Sequence, residues 1–392
     1  MLVPLDQAAH GTCGSKATAL GALRRAGLPV PDGFVLPNAV HDASADALPG
    51  PVRSAIADAL AHLGDPVVAV RSSAADEDTG ESSAAGRYAS FLAVQGMPAV
   101  ADAVRACWAS ATVPARRDAE DGRDLPTDAD RPSMAVIVHH HLDADVSGVL
   151  FTPADPDGPT VIESTWGLGP SVVGGTVTPD TYRVTADGSV SCAVADKRTR
   201  LDRVGTRLVT RAVPSDRRTH PSLDESTARR LAALGAEVAA LLDGPQDIEW
   251  AVVDDRVWLL QARPVTAALP TNSHAPATPG HRDALSGTPG SRGAATGTAR
   301  TVRGPRDFAR VRPGDILVCP FTDPAWTPLL RVAAGVVTAT GGALSHAAIV
   351  AREHGIPAVL GVPDAMTAIP DGATVTLDGT LGTVAVLPDP GA

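Results

Sequence analysis

The sequence predicts two bodies of mixed α/β and α+β structure, and three observations indicate this fold class. Residues 1–266 alternate amphipathic helices with short β-rich runs bounded by glycine or proline. Residues 267–297 are rich in Pro, Gly, Ser, Thr and Ala with almost no bulky apolar side chain, which is typical of a flexible linker. Residues 298–392 alternate short strands with one helix. We therefore expect two domains joined by a linker.

The first body begins with a helix. Ala17, Leu20 and Leu23 recur at helical spacing, and Gly27 provides a stop signal, so a helix is predicted over 14–27. The runs that follow predict strands at 66–73, 133–142 and 146–153, a helix at 225–242, and strands at 247–253 and 257–265. These elements complete the first predicted domain.

The last two strands of this body carry polar side chains on shared faces. Residues two apart in a strand point to the same side, so Asp247 lies with Glu249. A three-residue loop between the strands would place Glu249 opposite Gln261, and Asp247 opposite Arg263, whereas a two-residue turn would shift both pairs out of register. We predict the three-residue loop, which gathers oxygen ligands for Mg²⁺ beside a phosphate-binding guanidinium. The alternative is an exposed hairpin with paired surface charges.

Composition and charge exclude several classes of partner. The formal net charge is −11 and Lys and Arg form no long run, which argues against nucleic acid or an anionic membrane as the main partner. No apolar run reaches the roughly 18 residues of a membrane-spanning helix. The four cysteines lie far apart without a C-x-x-C pair. We therefore expect a reduced, cytoplasmic protein.

Five segments resemble, in this order, the ATP-binding domain of the pyruvate phosphate dikinase and phosphoenolpyruvate synthase family. They are GSKATALGALRRAGLPVPDGFVL, VAVRSSAADEDTGESSAAGRYASFLAV, DVSGVLFTPADP, STWGLGPSVVGGTVTPDTYRV and DIEWAVVDDRVWLLQARPV. The resemblance covers nearly all of residues 10–266. The chain is also similar to the corresponding domains of rifampin phosphotransferase. Because that family has an ATP-grasp fold, the resemblance implies an ATP-grasp nucleotide-binding domain at 1–266.

The resemblance also implies which residues bind the nucleotide phosphates. Lys16 and Arg71 correspond to phosphate-contacting residues of the family. A loop of small residues closes over the phosphates, because backbone N–H groups must approach the oxygens closely. In this chain the loop consists of Ser83, Ala84, Ala85 and Gly86.

The same resemblance implies functions for the residues of the predicted hairpin. Glu249 and Gln261 correspond to Mg²⁺ ligands. Asp247 lies beside them in the ATP site, and Arg263 corresponds to a phosphate-binding residue. The expected cofactors are therefore ATP and Mg²⁺.

Two segments depart from the family pattern. GLGP has Pro170 where members usually read GLGE, and VIVHHHL stands where members read like VVVQKMV. Neighbours in a strand alternate faces, so at most His139 and His141 could share a metal ion. We instead place this segment at the hinge that carries the adenine, with His139 and Leu142 in nucleotide binding.

The segment GDILVCPFTDPAWTPLLRVAAGVVTATGGALSHAAIVAREHGIPAVLGV resembles the mobile phosphohistidine domain of the same family. His346 corresponds to the histidine that carries phosphate, and the swivelling domain would span 298–392. The residues themselves fit this role. Gly341 and Gly342 leave room for a phosphate, Ser345 is a candidate N-cap, and the positive end of the following helix favours an anion. A capped helix with an incidental histidine is the alternative.

The family's chemistry implies a function. ATP delivers its β-phosphate to the histidine and AMP is released, so we expect an ATP-dependent dikinase-type phosphotransferase. The first alternative is an autophosphorylating phosphocarrier subunit that hands phosphate to a partner protein, and a nucleotide-sensing module is a further one. Family members carry an additional acceptor-binding domain, whereas the linker and phosphohistidine domain use all residues after 266 of this chain. The acceptor, a small molecule or a partner protein, is therefore not identified by the sequence.

Overall fold

The structure is a computed structural model that describes residues 2–40, 47–74, 88–120, 134–155, 157–266, 269 and 284–388. Its helices are α1 (Gly14–Arg25), α2 (Gly50–His62), α3 (Met97–Glu120), α4 (Pro170–Val173), α5 (Glu225–Leu241), α6 (Thr327–Leu330), α7 (His346–Glu353) and α8 (Ala365–Ala368). Short 3-10 helices lie at Leu5–Gln7, Asn38–Val40, Pro305–Arg310 and Pro324–Trp326. None of the described helices is long and apolar enough to cross a bilayer.

The strands of the first two-thirds of the chain are β1 (Val3–Pro4), β2 (Gly33–Leu36), β3 (Val68–Ala74), β4 (Ser90–Val94), β5 (Met134–His140), β6 (Val146–Phe151), β7 (Thr160–Trp166), β8 (Asp180–Val184), β9 (Val190–Ala193), β10 (Thr199–Val204), β11 (Arg207–Ala212), β12 (Gln246–Val253) and β13 (Arg256–Pro264). The later strands are β14 (Leu285–Ser286), β15 (Thr288–Ser291), β16 (Ala294–Thr301), β17 (Ile316–Cys319), β18 (Gly335–Thr338), β19 (Ala358–Leu360), β20 (Thr374–Asp378) and β21 (Thr383–Val386). The strands and helices predicted from the sequence are all present, with ends shifted by a few residues.

Contacts divide the chain into two compact units. The first unit comprises Met1–Asp145, Leu201–Arg211 and Leu231–Pro264. The second unit comprises Val146–Arg200, Ala212–Arg230 and Val265–Ala392. Each unit therefore combines segments that are far apart in sequence. The domain boundaries at 266 and 298 follow chain order rather than contacts, and they stay predictions.

The first unit contains a sheet with strand order β1-β2-β5-β3-β4. Alternate residues of β3 and β5, including Val70 and Val138, are buried against α2 and α3. The residues between them, including Arg71, Ser73 and His139, therefore point to the opposite face of the sheet. Helix α1 contacts this sheet and also β13.

Helix α1 begins in close contact with β3. Gly14 has φ of 73°, and a Cβ at this position would lie 2.0 Å from the Ser73 carbonyl oxygen. The Ser73 hydroxyl donates to the Cys13 carbonyl oxygen at 2.8 Å and accepts from the Ala17 N–H at 3.0 Å. Only glycine allows this approach. The contact fixes the start of α1, and with it Lys16, against the strand that carries Arg71.

The second unit contains the antiparallel strands β6-β7-β8-β9 and an eight-stranded sheet of order β14-β21-β20-β16-β17-β18-β19-β15. The neighbours β16, β17, β18 and β19 are parallel. Alternation along β17 buries Leu317 in a cluster with α7, and Val318 in a second cluster with α8. Helices therefore cover both faces of the parallel strands, as expected for α/β structure.

Residues 285–297 differ from the linker prediction, because they form β14, β15 and the start of β16. Their small side chains are required by close packing. A Cβ on Gly290 would lie 2.8 Å from Leu360 Cδ1, and a Cβ on Gly297 would lie 2.4 Å from the Gly314 carbonyl oxygen. The same composition that is typical of a linker here serves strands that pack tightly.

Candidate functional site

The hairpin of β12 and β13 has the predicted pairs but not the predicted loop. Glu249 lies opposite Gln261 and Asp247 opposite Arg263. The turn has two residues, not three, because Val253 pairs with Arg256. Both turn residues, Asp254 and Asp255, have positive φ (48° and 60°), as a type I′ turn requires.

A β-bulge provides the extra residue that the loop does not. Trp250 pairs with Leu259 and Glu249 pairs with Gln261, so Leu260 stands unmatched between them. Its carbonyl oxygen accepts a hydrogen bond from Arg71 Nη1 at 3.0 Å. The bulge therefore corrects the register and supplies an acceptor to the site.

Arg71 joins this hairpin to the sheet of the first unit. Its Nη2 donates to Glu249 Oε2 and to Gln261 Oε1, each at 2.8 Å. Burial acts to raise the pKa of Glu249, but the Arg71 guanidinium outweighs it, with Arg263 and Lys16 adding to the effect, so this pKa lies below its usual range. Glu249 is therefore an anionic oxygen donor at neutral pH.

The predicted site residues of the first unit lie close together. Asp247 Oδ2 accepts from Arg263 Nε at 2.9 Å and lies 2.7 Å from Arg263 Nη2. Lys16 is only 9% exposed. Glu249 and Gln261 each present an oxygen to the same guanidinium nitrogen. Carboxylate and amide oxygens are of the kind that Mg²⁺ accepts as ligands, so these two side chains fit that ion by their chemistry.

The histidine segment ends β5. His139 is buried on the face that carries Arg71, and burial, with the Arg71 charge as the next cause, lowers the pKa of His139 to about 4. His141 lies 3.5 Å from Asp143, through the Nε2 and Oδ1 atoms. Leu142 follows the strand and is half-buried. Within the described ranges no three His, Cys, Asp or Glu residues gather as a metal site, so the metal alternative gains no support there.

Two further sequence predictions concern loops of the nucleotide-binding segments. The small-residue loop Ser83, Ala84, Ala85 and Gly86 lies outside the described residues. Pro170 is the first residue of α4, where a missing N–H has no cost. The departure from GLGE is therefore compatible with the local backbone.

His346 opens α7 in the second unit and is 5% exposed. Its Nδ1 lies 2.9 Å from Thr322 Oγ1. Ser345 occupies the N-cap position, but its hydroxyl donates back to the Gly342 carbonyl oxygen at 2.8 Å instead of capping the helix. The prediction of Ser345 as the N-cap residue is therefore confirmed by position, although its side chain makes no capping hydrogen bond.

The sequence reasoning missed Glu163 in the middle of β7. Its side chain is fully buried, and it accepts hydrogen bonds from the N–H groups of Ala343 and Leu344, at 2.6 and 3.1 Å. Burial raises the pKa of Glu163 to about 7, against the two amides, Arg352 and Arg183. The available signal was a single carboxylate in TVIESTW, a run otherwise free of charge and rich in β-branched residues, since unpaired carboxylates are rarely fully buried.

Comparisons with known proteins agree with this architecture. Residues 38–282 match the family described as pyruvate phosphate dikinase, AMP/ATP-binding domain, and residues 311–382 match the PEP-utilising enzyme, mobile domain. A probable phosphoenolpyruvate synthase of Methanothermobacter thermautotrophicus is 32% identical over 95% of this chain and 61% of its own length. The phosphoenolpyruvate synthase of Aeropyrum pernix is 33% identical over 95% of this chain and 56% of its own length.

A third relative has a different name. The prodigiosin synthesizing transferase PigC of Serratia marcescens is 37% identical over 64% of this chain and 31% of its own length. The chain spans little more than half the length of the two synthases. Its first family match alone covers more than half of the chain. The chain therefore belongs to the pyruvate phosphate dikinase AMP/ATP-binding domain family, with this domain followed by a PEP-utilising mobile domain.

Proposed function

We propose that this protein is an ATP-dependent dikinase-type phosphotransferase that passes the β-phosphate of ATP through His346 to an acceptor and releases AMP. The observation that carries the proposal is the setting of His346, buried at the start of α7 with Nδ1 held by Thr322. The match of the surrounding residues to a PEP-utilising mobile domain, in a chain that also has an AMP/ATP-binding domain, supports it.

The contact with Thr322 selects the reacting nitrogen. If Nδ1–H donates to the Thr322 oxygen, the lone pair of the neutral imidazole lies on Nε2, which makes Nε2 the attacking atom. Attack at the β-phosphorus forms a P–N bond and breaks the P–O bond to AMP. Because the β-phosphate then stays on the protein, the γ-phosphate leaves in a separate step to water or another acceptor.

The polar cluster of the first unit is suited to bind the triphosphate. Arg71 and Lys16 supply positive charge for phosphate oxygens. Glu249 and Gln261 would hold Mg²⁺, which neutralises charge on the phosphates. Arg71 would then exchange its contacts with these two oxygens for phosphate, since its planar fork fits either acceptor.

The acceptor is a small molecule or a partner protein. The two relatives named phosphoenolpyruvate synthase make a precursor of phosphoenolpyruvate the first small molecule to test as acceptor. A cytoplasmic location is proposed from the spacing of the four cysteines, which form no C-x-x-C pair.

Labelling with ATP that carries ³²P at the β-position tests the proposal. We expect Mg²⁺-dependent label that is labile in acid and stable in alkali, and AMP rather than ADP as the nucleotide product. His346→Ala should abolish the label. The matched control is His354→Ala, because His354 is exposed at the other end of the same helix. Label that persists in His346→Ala would refute the assignment.

A further inference from the structure

Glu163 accepts hydrogen bonds from the segment that precedes the reactive histidine. The docking segment, residues 340–344, connects β18 to Ser345 and α7. Its Ala343 and Leu344 N–H groups donate to separate oxygens of the Glu163 carboxylate. Leu344 is only two residues before His346. An interaction with a strand far away in sequence therefore fixes the backbone that carries the histidine.

The docking segment is shaped to admit this carboxylate. A Cβ on Gly342 would lie 2.4 Å from both Glu163 carboxylate oxygens, so any other residue here would push the carboxylate away. Thr340 donates its hydroxyl to the Gly175 carbonyl oxygen at 2.7 Å. Glycine at 342 is thus a requirement of the contact itself.

Apolar packing supports the same contact. The Leu344 side chain is 1% exposed and packs with Val149, Phe151, Val172 and Val177. A buried carboxylate that lacks hydrogen-bond donors destabilises the fold. An apolar side chain at position 163 would occupy the same place in the strand without that destabilisation. The two amide donors compensate the charge only while the docking segment stays in place. The carboxylate is therefore matched to one position of this segment.

The same two amides cannot serve two anions at once. A phosphoryl group on His346 would add about two negative charges close to the docking segment. If the Ala343 and Leu344 amides donate to that phosphate instead, Glu163 loses its two hydrogen-bond donors. The negative charge of Glu163 also repels the phosphate. The contact with Glu163 is thus compatible with the unmodified histidine and opposed by the phosphorylated one.

We infer that Glu163 is a positioning residue for His346: it holds the docking segment against β7 while the histidine accepts phosphate, and releases it once the phosphate is attached. This inference rests on the proposed function. It assigns to Glu163 a role in the orientation of the nucleophile, without contact to the nucleotide.

Rapid-quench labelling at saturating β-³²P ATP tests the inference in Glu163→Gln, which removes the charge and one of the two acceptor oxygens. We expect labelling of His346 to slow at least tenfold, with ATP affinity within twofold of wild type. Release of label from previously phosphorylated protein should not slow. The matched control is Glu225→Gln, an exposed carboxylate of the same unit, and it should label like wild type.

A second substitution separates positioning from folding. Gly342→Ala perturbs the same contact from the other side, so it should also slow labelling, and the double variant with Glu163→Gln should be no slower than the worse single variant. Amide hydrogen exchange of residues 343 and 344 should be protected in wild type, faster in both variants, and faster in wild type after phosphorylation.

The outcomes distinguish the inference from the proposed function. If wild type takes label and both variants label at the wild-type rate, the inference is overturned and the proposed function stands. Additive effects in the double variant, with exchange unchanged on phosphorylation, also overturn it and indicate a purely structural carboxylate. Wild type that takes no label at all refutes the proposed function, and the inference falls with it.

Discussion

At the scale of residues, buried charge decides the state of each site group. Glu249 and His139 both lie near Arg71, which lowers the pKa of each. For the carboxylate this keeps the anion that a cation or a guanidinium needs. For the imidazole, burial is the larger cause of the neutral form, and the Arg71 charge is the next, because a second positive charge beside Arg71 would be repelled. Arg71 therefore favours the anion of Glu249, and burial together with Arg71 favours the neutral form of His139.

His139→Gln should change how stability depends on pH. The folded pKa of His139 is about 4, below the ordinary value of 6.5, so its contribution is present above pH 6.5 and lost as the pH falls toward 4. Between pH 7 and 4.5 the unfolding free energy of wild type should fall by about 2–3 kcal/mol more than that of the variant. Urea unfolding measures this. Exposed His62 gives the control, His62→Gln, and equal pH dependence in wild type and His139→Gln would contradict the prediction.

Thr322→Val should slow the phosphorylation of His346. The substitution keeps the side-chain shape and removes the hydroxyl that lies 2.9 Å from Nδ1. Without that partner the imidazole loses the preference for the tautomer whose lone pair lies on Nε2, so we expect labelling to slow about tenfold to 100-fold, up to the lower limit of general acid–base effects. Thr322→Ser keeps the hydroxyl and should restore most of the rate. Equal rates for Val and Ser would count against the tautomer argument.

At the scale of elements, the residue pairs of the β12–β13 hairpin could be predicted, whereas the turn and the bulge that produce this register could not. Alternation along the strands indicates that Glu249 and Gln261 belong together, because both must face the site. Two arrangements deliver that register: a three-residue loop, or a two-residue turn followed by a bulge. The sequence favours neither clearly, because Asp-Asp is an uncommon type I′ turn and Leu260 carries no bulge signal. The structure has the turn and the bulge.

Deletion of Leu260 should weaken ATP binding by removing the carbonyl oxygen that holds Arg71. Without the unmatched residue, Trp250–Leu259 and Glu249–Gln261 become neighbouring pairs of a regular ladder, so the register is kept and the acceptor for Arg71 is lost. Loss of a hydrogen bond to a charged group should weaken ATP binding about tenfold, measured by calorimetry. Leu260→Ala is the matched control, since it keeps the bulge and the carbonyl that binds Arg71, and should bind within threefold of wild type. A deletion variant that binds ATP normally would show that the Leu260 carbonyl is not required.

Other elements could not be predicted because the information lies in distant contacts. The strands at 285–297 have the composition of a linker, and only their close approach to β19 and β17 explains the glycines. Glu163 is similar, since its partners are 180 and 181 residues away. The helix that starts at His346, by contrast, could be predicted, because the glycines and the cap residue lie within a few residues of its start. Local patterns thus predict local sites.

At the scale of the whole molecule, contacts do not follow chain order. Residues 146–200 and 212–230 belong to the same compact unit as the segment that carries His346, although they match the nucleotide-binding family. The change in composition along the chain predicts a boundary at 266. Composition does not indicate that segments before this boundary contact segments after it. The residues proposed to bind the nucleotide, Lys16, Arg71, Glu249 and Gln261, belong to the other unit. The proposed reaction therefore depends on groups from both units of one chain.

Mixing two inactive variants should reveal whether transfer stays within one chain. Arg71→Ala keeps His346 but lacks a phosphate-binding group, whereas His346→Ala keeps the nucleotide cluster and lacks the acceptor. Covalent connection gives an effective concentration of about 1 mM, so at about 10 µM protein transfer between chains should be roughly 100-fold slower than labelling of wild type. The slow label should appear on the Arg71→Ala chain, and its rate should rise linearly with the concentration of the other variant.

The control for this mixture is the doubly substituted chain, Arg71→Ala with His346→Ala, which should take no label from the His346→Ala protein. Two chains of different length, one with an added tag, separate on a gel and show which one is labelled. Because each variant alone lacks one requirement, label in the mixture can arise only from transfer between chains. A mixture that labels as fast as wild type would mean that the nucleotide site of one chain normally serves the histidine of another, and that the working unit is an oligomer rather than a single chain.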